Sequence, residues 1–423
     1  MRHAAQVTAN HEQDGTRGAE PREPDGPVVG IIANPVSARD IRRVVANASS
    51  LQLTDRVNIV LRALSALGAC GVRRVLMMPD REGLRPMLVR HLERERAAAG
   101  DGHRWPHLQW LAMPVTALVD DTFRAARLLR EAGVVAIVVL GGDGTHRAVV
   151  RECGQVPIAG LSTGTNNAYP ELREATMAGL AVGLYAVGRI PAARALALNK
   201  RLDVALNEGR AGARHDIALV DVAIAHEHYI GAKALWKVDS LAALYLAFAE
   251  PEAIGLSAIG GLLEPVGRRQ AGGLRVELAP PEDDATAQGA SQAPLFHLSA
   301  PIAPGLLRPV PVHGWHRLTD GETVRVRQRG GVVALDGERE ITFGPEDLLT
   351  VTLRERAFRS IDVAACLRHA ALHGLLRDPP VAAPAQPAPD APKSPAMAPH
   401  CAARVHAHAT LSLTPSQLQR RPA

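Results

Sequence analysis

The chain has 423 residues, 47% of them apolar and 3% aromatic, with a formal net charge of +5. That length can bury substantial cores and suits two domains and a tail. Only 4 lysines stand among 48 basic residues and the arginines are scattered, so no basic block marks a nucleic-acid partner, and the few aromatics leave little stacking surface for single-stranded bases.

The cysteines, Cys70, Cys153, Cys366 and Cys401, form no closely spaced pair, which argues against a zinc site or disulfide framework and favours a reducing, cytoplasmic setting. The first 27 residues lack the apolar core of a signal peptide. No later run reads as long and apolar enough to span a bilayer.

In chain order, residues 1–26 are dominated by Gly, Pro, Glu and Arg and read as a disordered arm. Residues 28–33 read as a buried strand, with Asn34-Pro35-Val36-Ser37 as its exit turn. A helical pattern over 57–67 leads to a strand over 72–78, a helix over 84–99, a strand near 108–112 and a helix over 120–132. The β-branched, non-alternating run from Val134 to Leu140 suits a parallel strand covered on both faces. A short strand follows over 156–160. This alternation predicts a parallel sheet flanked by helices, an α/β domain spanning 27–198.

The run from Val134 opens onto Gly141-Gly142-Asp143-Gly144-Thr145. The glycines permit positive φ and let backbone N–H groups approach a ligand, and a helix starting at Thr145 would turn its N-terminus toward a phosphate. Asp143 could hold a magnesium–phosphate complex or accept the proton of an attacking hydroxyl. The alternative is that Asp143 or Thr145 caps a helix in a tight turn without a ligand.

After a helical stretch over 171–187, strand-like runs at 202–206, 217–225, 274–278 and 323–327 predict an all-β-rich, sandwich-like second domain over 199–356. Residues 280–294 read as a solvated loop. Leu335-Asp336-Gly337-Glu338, between apolar runs, has the form of an Asp-Gly hairpin. A helix over 361–376 fills the segment 357–377, and the Pro/Ala-rich stretch 378–423 reads as a disordered tail.

Gly160-Leu161-Ser162-Thr163-Gly164 satisfies the spacing of a hydrolase nucleophile elbow, which also needs an acid and a histidine. His215, His226, His228, His297, His313 and His316 are too many candidates to inform, and Thr165 to Pro170 delay the helix an elbow must enter. A P-loop is excluded, because Lys200, Lys233, Lys237 and Lys393 do not follow glycine in the required spacing. His369 and His373 share a helix face, but Ala370 stands where a zinc protease needs Glu; His226 and His228 flank Glu227.

Four patterns occur in one order: Ile31-Ile32-Ala33-Asn34-Pro35-Val36-Ser37, the Gly141 to Thr145 turn, Ser162-Thr163-Gly164-Thr165-Asn166-Asn167, and Leu335-Asp336-Gly337-Glu338. Together they resemble the superfamily that joins NAD kinases with diacylglycerol and sphingosine kinases. Within it, the chain resembles the acetoin-catabolism protein X family, NAD-kinase-like proteins encoded with acetoin-degrading enzymes. The resemblance implies a phosphofructokinase-like first domain, a β-sandwich second domain and a nucleotide in the cleft between them.

Carried onto this sequence, the resemblance implies that Asn34 contacts ATP and that Gly141, Gly142, Gly144 and Thr145 hold its phosphates. Thr163, Gly164, Thr165, Asn166 and Asn167 would complete that site. Asp143 would be the leading catalytic residue, with magnesium as a possible ligand. Asp336 and Glu338 match an acidic pair near the transferred phosphate, either one orienting magnesium or serving as base. Asn207-Glu208 resembles the pair with which NAD kinases hold the acceptor nucleotide, although a loop or turn explains it equally well.

The Thr/Gly/Ser-rich acceptor stretch of NAD kinases has only weak echoes, in Leu256 to Gly261 and Pro301 to Gly305. The expected activity is ATP- and magnesium-dependent phosphorylation of NAD, or of another hydroxyl-bearing small molecule, in acetoin breakdown by a homo-oligomer. The alternatives are a silent nucleotide or NAD sensor regulating acetoin catabolism, and a lipid kinase.

Overall fold

The elements of the first half follow the alternation of apolar runs: β1 (Val28–Ala33), α1 (Leu53–Ala69), β2 (Arg74–Met77), α2 (Leu84–Ala99), β3 (His107–Trp110), α3 (Val119–Glu131), β4 (Ala136–Gly141), α4 (Asp143–Glu152), β5 (Ile158–Ser162), α5 (Ala175–Ala186) and α6 (Ala192–Ala195). The computed structural model describes residues 26–33, 51–99, 105–163, 167–226, 238–278 and 293–377. Asn34, Gly164, Thr165, Asn166, His228, the arm before residue 26, residues 280–292 of the expected loop and the tail from residue 378 lie outside the described residues.

Parallel pairing sets the strand order β3-β2-β1-β4-β5. Apolar residues run unbroken in β1 and β4 because both faces are covered. Val29, Ile31 and Val138 pack with α1 and α5, whereas Ile32, Ile137 and Val139 pack with α3 and α4. Strand order reverses between β1 and β4, and in open sheets of this kind ligands bind beyond the carboxyl ends of the strands at that point. β4 ends there on Gly141.

The second half contains β6 (Leu196–Leu206), β7 (Arg214–Ala218), β8 (Asp221–Ala225), β9 (Leu241–Leu246), α7 (Leu256–Leu263), β10 (Gly273–Glu277), β11 (Phe296–Ala303), β12 (Leu306–Val312), β13 (Gly314–Leu318), β14 (Thr323–Arg325), β15 (Gly331–Leu335), β16 (Glu338–Phe343), β17 (Leu349–Ile361) and α8 (Val363–Leu372). A sheet of order β13-β10-β9-β8-β15-β16 is antiparallel, and β11 and β12 form a separate ribbon. β17 pairs antiparallel with β6 and, through Ser360, parallel with β5, so the first sheet continues into the second half. Leu202, Val204, Val351 and Leu353 of that extension pack against Val222, Ile224, Tyr245 and Val333 of the six-stranded sheet, a sandwich core.

The apolar stretch 217–225, expected as one strand, breaks at Leu219 and Val220 into β7 and β8, which belong to different sheets. The cause lies far away in sequence: the Asp336 carboxylate accepts the N–H groups of Leu219, Val220 and Asp221 at 3.0, 2.8 and 3.3 Å, taking donors that a continuous ladder would use. Burial is continuous across the break, so periodicity carries no sign of it. β17 also crosses residue 356, because Phe358 to Ile361 pair with Asn199 to Leu196. No helix among the described residues is long and apolar enough to cross a membrane.

Candidate functional site

The turn from β4 into α4 is made by close approach. A Cβ on Gly141 would lie 2.5 Å from the Thr145 Cβ, and one on Gly142 would lie 2.8 Å from the Asn167 Oδ1. A Cβ on Gly144 would meet the Glu338 carboxylate at 3.2 Å. Gly142, at φ −92°, is the helix cap, and neither Gly141 nor Gly144 falls among the positive-φ glycines. The expectation of positive φ is therefore corrected: these positions need glycine for space, not handedness. The helix begins at Asp143 rather than Thr145, with the Gly142 carbonyl accepting the N–H groups of Thr145 and His146 at 3.1 Å each. Gly141→Ala should cost about 1–3 kcal/mol through overpacking against Thr145, read as a lower urea midpoint.

Asp143 is the first residue of α4, whose N-cap is Gly142. Its carboxylate reaches across to the segment after β5, where Oδ2 accepts the Ala168 N–H at 2.9 Å and Oδ1 the Tyr169 N–H at 2.8 Å. Asn167, beside them, donates through Nδ2 to the Ser162 Oγ at 2.7 Å. Thr145 and Thr163 are buried. Asp143 lines a cavity together with Ala168, Asp221, residues 254–257, Ile302, Ala303, Asp336 and Gly337. The two stretches that echo an acceptor site, around Leu256 and around Ile302, thus meet the Asp143 turn. Ser257, in the first turn of α7, is buried there.

Asp336 and Gly337 form the tip of the β15–β16 hairpin, both at positive φ, 50° and 77°. The tip points one carboxylate inward: Asp336 is buried and braces the β7–β8 break. Burial pushes its carboxyl up to about 8; the Arg147 guanidinium pulls it back, and Asp221 and Asp143 push it further up. Glu338 remains partly exposed and lies over Gly144.

Arg147, one turn beyond Asp143 on α4, sits among four carboxylates. Its nitrogens lie 2.9 Å from Glu340, 3.6 Å from Asp216, 3.9 Å from Asp336 and 4.0 Å from Glu338. Although burial opposes its charge, these carboxylates hold its pKa above the ordinary arginine value. It pins the hairpin against the helix that carries Asp143.

His146 is fully buried, its ring 5.7 Å from that of Tyr169 and its Nδ1 2.9 Å from the Gly142 carbonyl. Burial pushes its pKa down to about 4, against hydrogen bonding at the Gly142 and Val139 carbonyls. A base depressed on folding contributes stability above its unfolded pKa, near 6.5, and loses it as pH falls through the folded value. Unfolding free energy should therefore drop by about 2–3 kcal/mol from this group between pH 7.5 and 4.5. Urea titrations of wild type and His146→Leu should differ by that slope.

Asn207 and Glu208 do not join the cluster. Asn207 follows the Leu206–Arg214 end of the β6–β7 hairpin, whereas Asp336 contacts the opposite end beyond Ala218. Its Nδ2 donates to Asp347 at 2.6 Å and its Oδ1 accepts the Leu348 N–H at 2.9 Å, which braces a turn; Glu208 is exposed. The elbow pattern fails locally as well: no helix follows Ser162 until Ala175 among the described residues, and the Ser162 Oγ accepts from Asn167. The rings of His369 and His373 stack at 4.0 Å. No group of three or more His, Cys, Asp or Glu among the described residues is placed to hold a metal ion.

Three contributors escaped the sequence reading. Asp221, an acid inside an apolar run, carried a usable signal, and Arg147 carried its helical spacing from Asp143. Arg268, described below, has no local signature.

The sequence profile described as the ATP-NAD kinase N-terminal domain matches residues 29–190, and that of the acetoin catabolism protein X C-terminal domain matches residues 200–356. The chain is 68% identical over 354 residues to acetoin catabolism protein X of Cupriavidus necator, covering 84% of this chain and 95% of that protein. Among solved structures, yeast NADH kinase complexed with NADH matches with a TM-score of 0.41 and 14% identity, over 83% of this chain and 88% of that one. A candidate diacylglycerol kinase from Bacillus anthracis str. Sterne matches with a TM-score of 0.42 and 11% identity, over 79% and 97%. The first half has the NAD kinase-like α/β architecture, followed by antiparallel sheets.

Proposed function

This chain belongs to the acetoin catabolism protein X family, and we propose that it transfers the γ-phosphoryl group of ATP to a hydroxyl of NAD, giving NADP, in the setting of acetoin breakdown. The observation that carries the reading is the meeting of Asp143, from the β4–α4 turn, with Asp221 and the acceptor-like stretches in one cavity. Backbone at such a turn approaches phosphates closely, at the strand ends where open sheets bind ligands.

In the transfer, the acceptor oxygen bonds to the γ-phosphorus as the bond to the bridging β–γ oxygen breaks, and ADP leaves. The hydroxyl proton passes to a carboxylate. Asp143 is fixed in direction by two N–H donors, and a loose transition state asks more for positioning than for a strong base. Asp336, whose carboxylate is engaged by the N–H groups of residues 219–221, supports the wall rather than taking that proton. Magnesium usually takes one or two carboxylates plus phosphate oxygens, and Asp143 and Asp221, which line one cavity, would supply them. The metal would neutralise charge on the transferring group.

A second reading, a sensor that binds nucleotide or NAD without turnover, is favoured by the use of both Asp143 oxygens in holding backbone. An acceptor panel separates the readings: purified protein with magnesium and ATP is given NAD, NADH or diacylglycerol vesicles. NADP formation supports the proposal. Phosphorylated lipid points to a lipid kinase, and NAD binding without any phosphorylated product points to the sensor.

A further inference from the structure

Residues 168 and 169 are gripped on both sides of their peptide groups. Their two N–H groups converge on the Asp143 carboxylate, at 2.9 and 2.8 Å. Their two carbonyls converge on one guanidinium: the Tyr169 oxygen accepts from Arg268 Nη1 at 2.6 Å, and the Ala168 oxygen accepts from Nη2. The Nε of Arg268 donates to Glu250 at 3.0 Å, and its Cζ lies 4.6 Å from the Phe248 ring centroid and 5.9 Å from that of Tyr169. Only a planar fork can meet two adjacent carbonyls and a carboxylate at once while stacking on aromatic faces.

The loop that presents Arg268 is itself held. Lys200, buried on β6, donates through Nζ to the carbonyls of Gly267, Gln270 and Gly272 at 3.0, 2.9 and 2.7 Å. Arg268 therefore projects from a fixed platform in the second half of the chain to backbone that the first half holds by its N–H groups.

We propose that Arg268 is a positioning residue for Asp143. By holding the carbonyls of residues 168 and 169, it aims their N–H groups at the carboxylate and fixes that carboxylate at the cavity wall. A cation on the carbonyl side also polarises each peptide and strengthens donation on the N–H side. Without Arg268 the segment loses its charged anchor, and the two N–H bonds that aim the Asp143 carboxylate lengthen in turn. The consequence for rate rests on the phosphotransfer reading; the mechanical link to residues 168 and 169 does not.

The test compares full-length wild type, Arg268→Ala and Arg268→Lys by amide hydrogen exchange, with NAD phosphorylation assayed in parallel. In Arg268→Ala, exchange of peptides covering residues 167–170 should rise at least about tenfold while β1 and β4 exchange as in wild type. The kcat should fall at least about tenfold with the KM for ATP within about twofold, since positioning rather than binding is lost. Lys restores charge without the fork and should recover only part of both effects. Should Arg268→Ala fail to fold, Arg268→Lys carries the same comparison. Unchanged exchange at 167–170 in the folded variants overturns the proposal, as does raised exchange with wild-type kcat. If wild type forms no NADP, the phosphotransfer reading fails separately, and the exchange result still decides whether Arg268 orders the segment.

Discussion

Asp143→Asn should fold and lose at least about a hundredfold in kcat. The substitution keeps the shape of the side chain but places an amide NH2 where one carboxylate oxygen accepted an N–H, so one of the two bonds to residues 168 and 169 becomes a donor facing a donor. It also removes the negative charge that would draw the hydroxyl proton and contact the metal. The loss should fall on kcat with little change in ATP affinity if, as proposed, backbone at the β4–α4 turn contacts the phosphates. A circular dichroism melt within a few degrees of wild type would establish that the fold survived. A rate equal to wild type in such a protein would remove Asp143 from the chemistry.

The largest stability effect is expected at Arg147. Truncation to Ala leaves Asp336, Glu338 and Glu340 without the cation they share, and Asp216 with Arg151 as its remaining ion pair, in a mostly buried site, a change that should cost about 3–5 kcal/mol. The sign of the pH dependence separates this cause from simple loss of packing. Unbalanced carboxylates are relieved by protonation, so the deficit of Arg147→Ala relative to wild type should shrink as pH falls from 7 to 5. A packing defect would keep the same deficit at both values. Urea unfolding at the two pH values measures both predictions, and a pH-independent deficit below about 1 kcal/mol would show that the cluster does not depend on Arg147.

The α/β half was legible because its central strands and main helices carry local apolar periods separated by turn residues, so the pattern marks them one by one. Residues 84–99 illustrate this: the helical pattern and α2 coincide. The antiparallel half was less legible, because its decisive contacts come from distant residues. The break at Leu219 and Val220 depends on a carboxylate more than a hundred positions later, which no local window contains. The Asp-Gly hairpin was readable from its turn chemistry, but the inward burial of Asp336 was not, since a hairpin tip is ordinarily exposed. At the site, the glycines of the β4–α4 turn were visible while their cause was misread, because crowding by Thr145, Asn167 and Glu338 is a tertiary fact. The Asn207-Glu208 pair shows the converse, a motif-like dipeptide whose hydrogen bonds brace a turn at the other end of the hairpin.

On the reading proposed here, the cavity beside Asp143 transfers phosphate to NAD. The most direct measurement is a single-turnover reaction of purified wild-type protein with magnesium, γ-labelled ATP and NAD, followed by separation of the nucleotides. Label should appear in NADP at the rate ADP forms. Label released only as inorganic phosphate, or retained in ATP while NAD stays unmodified, would contradict it.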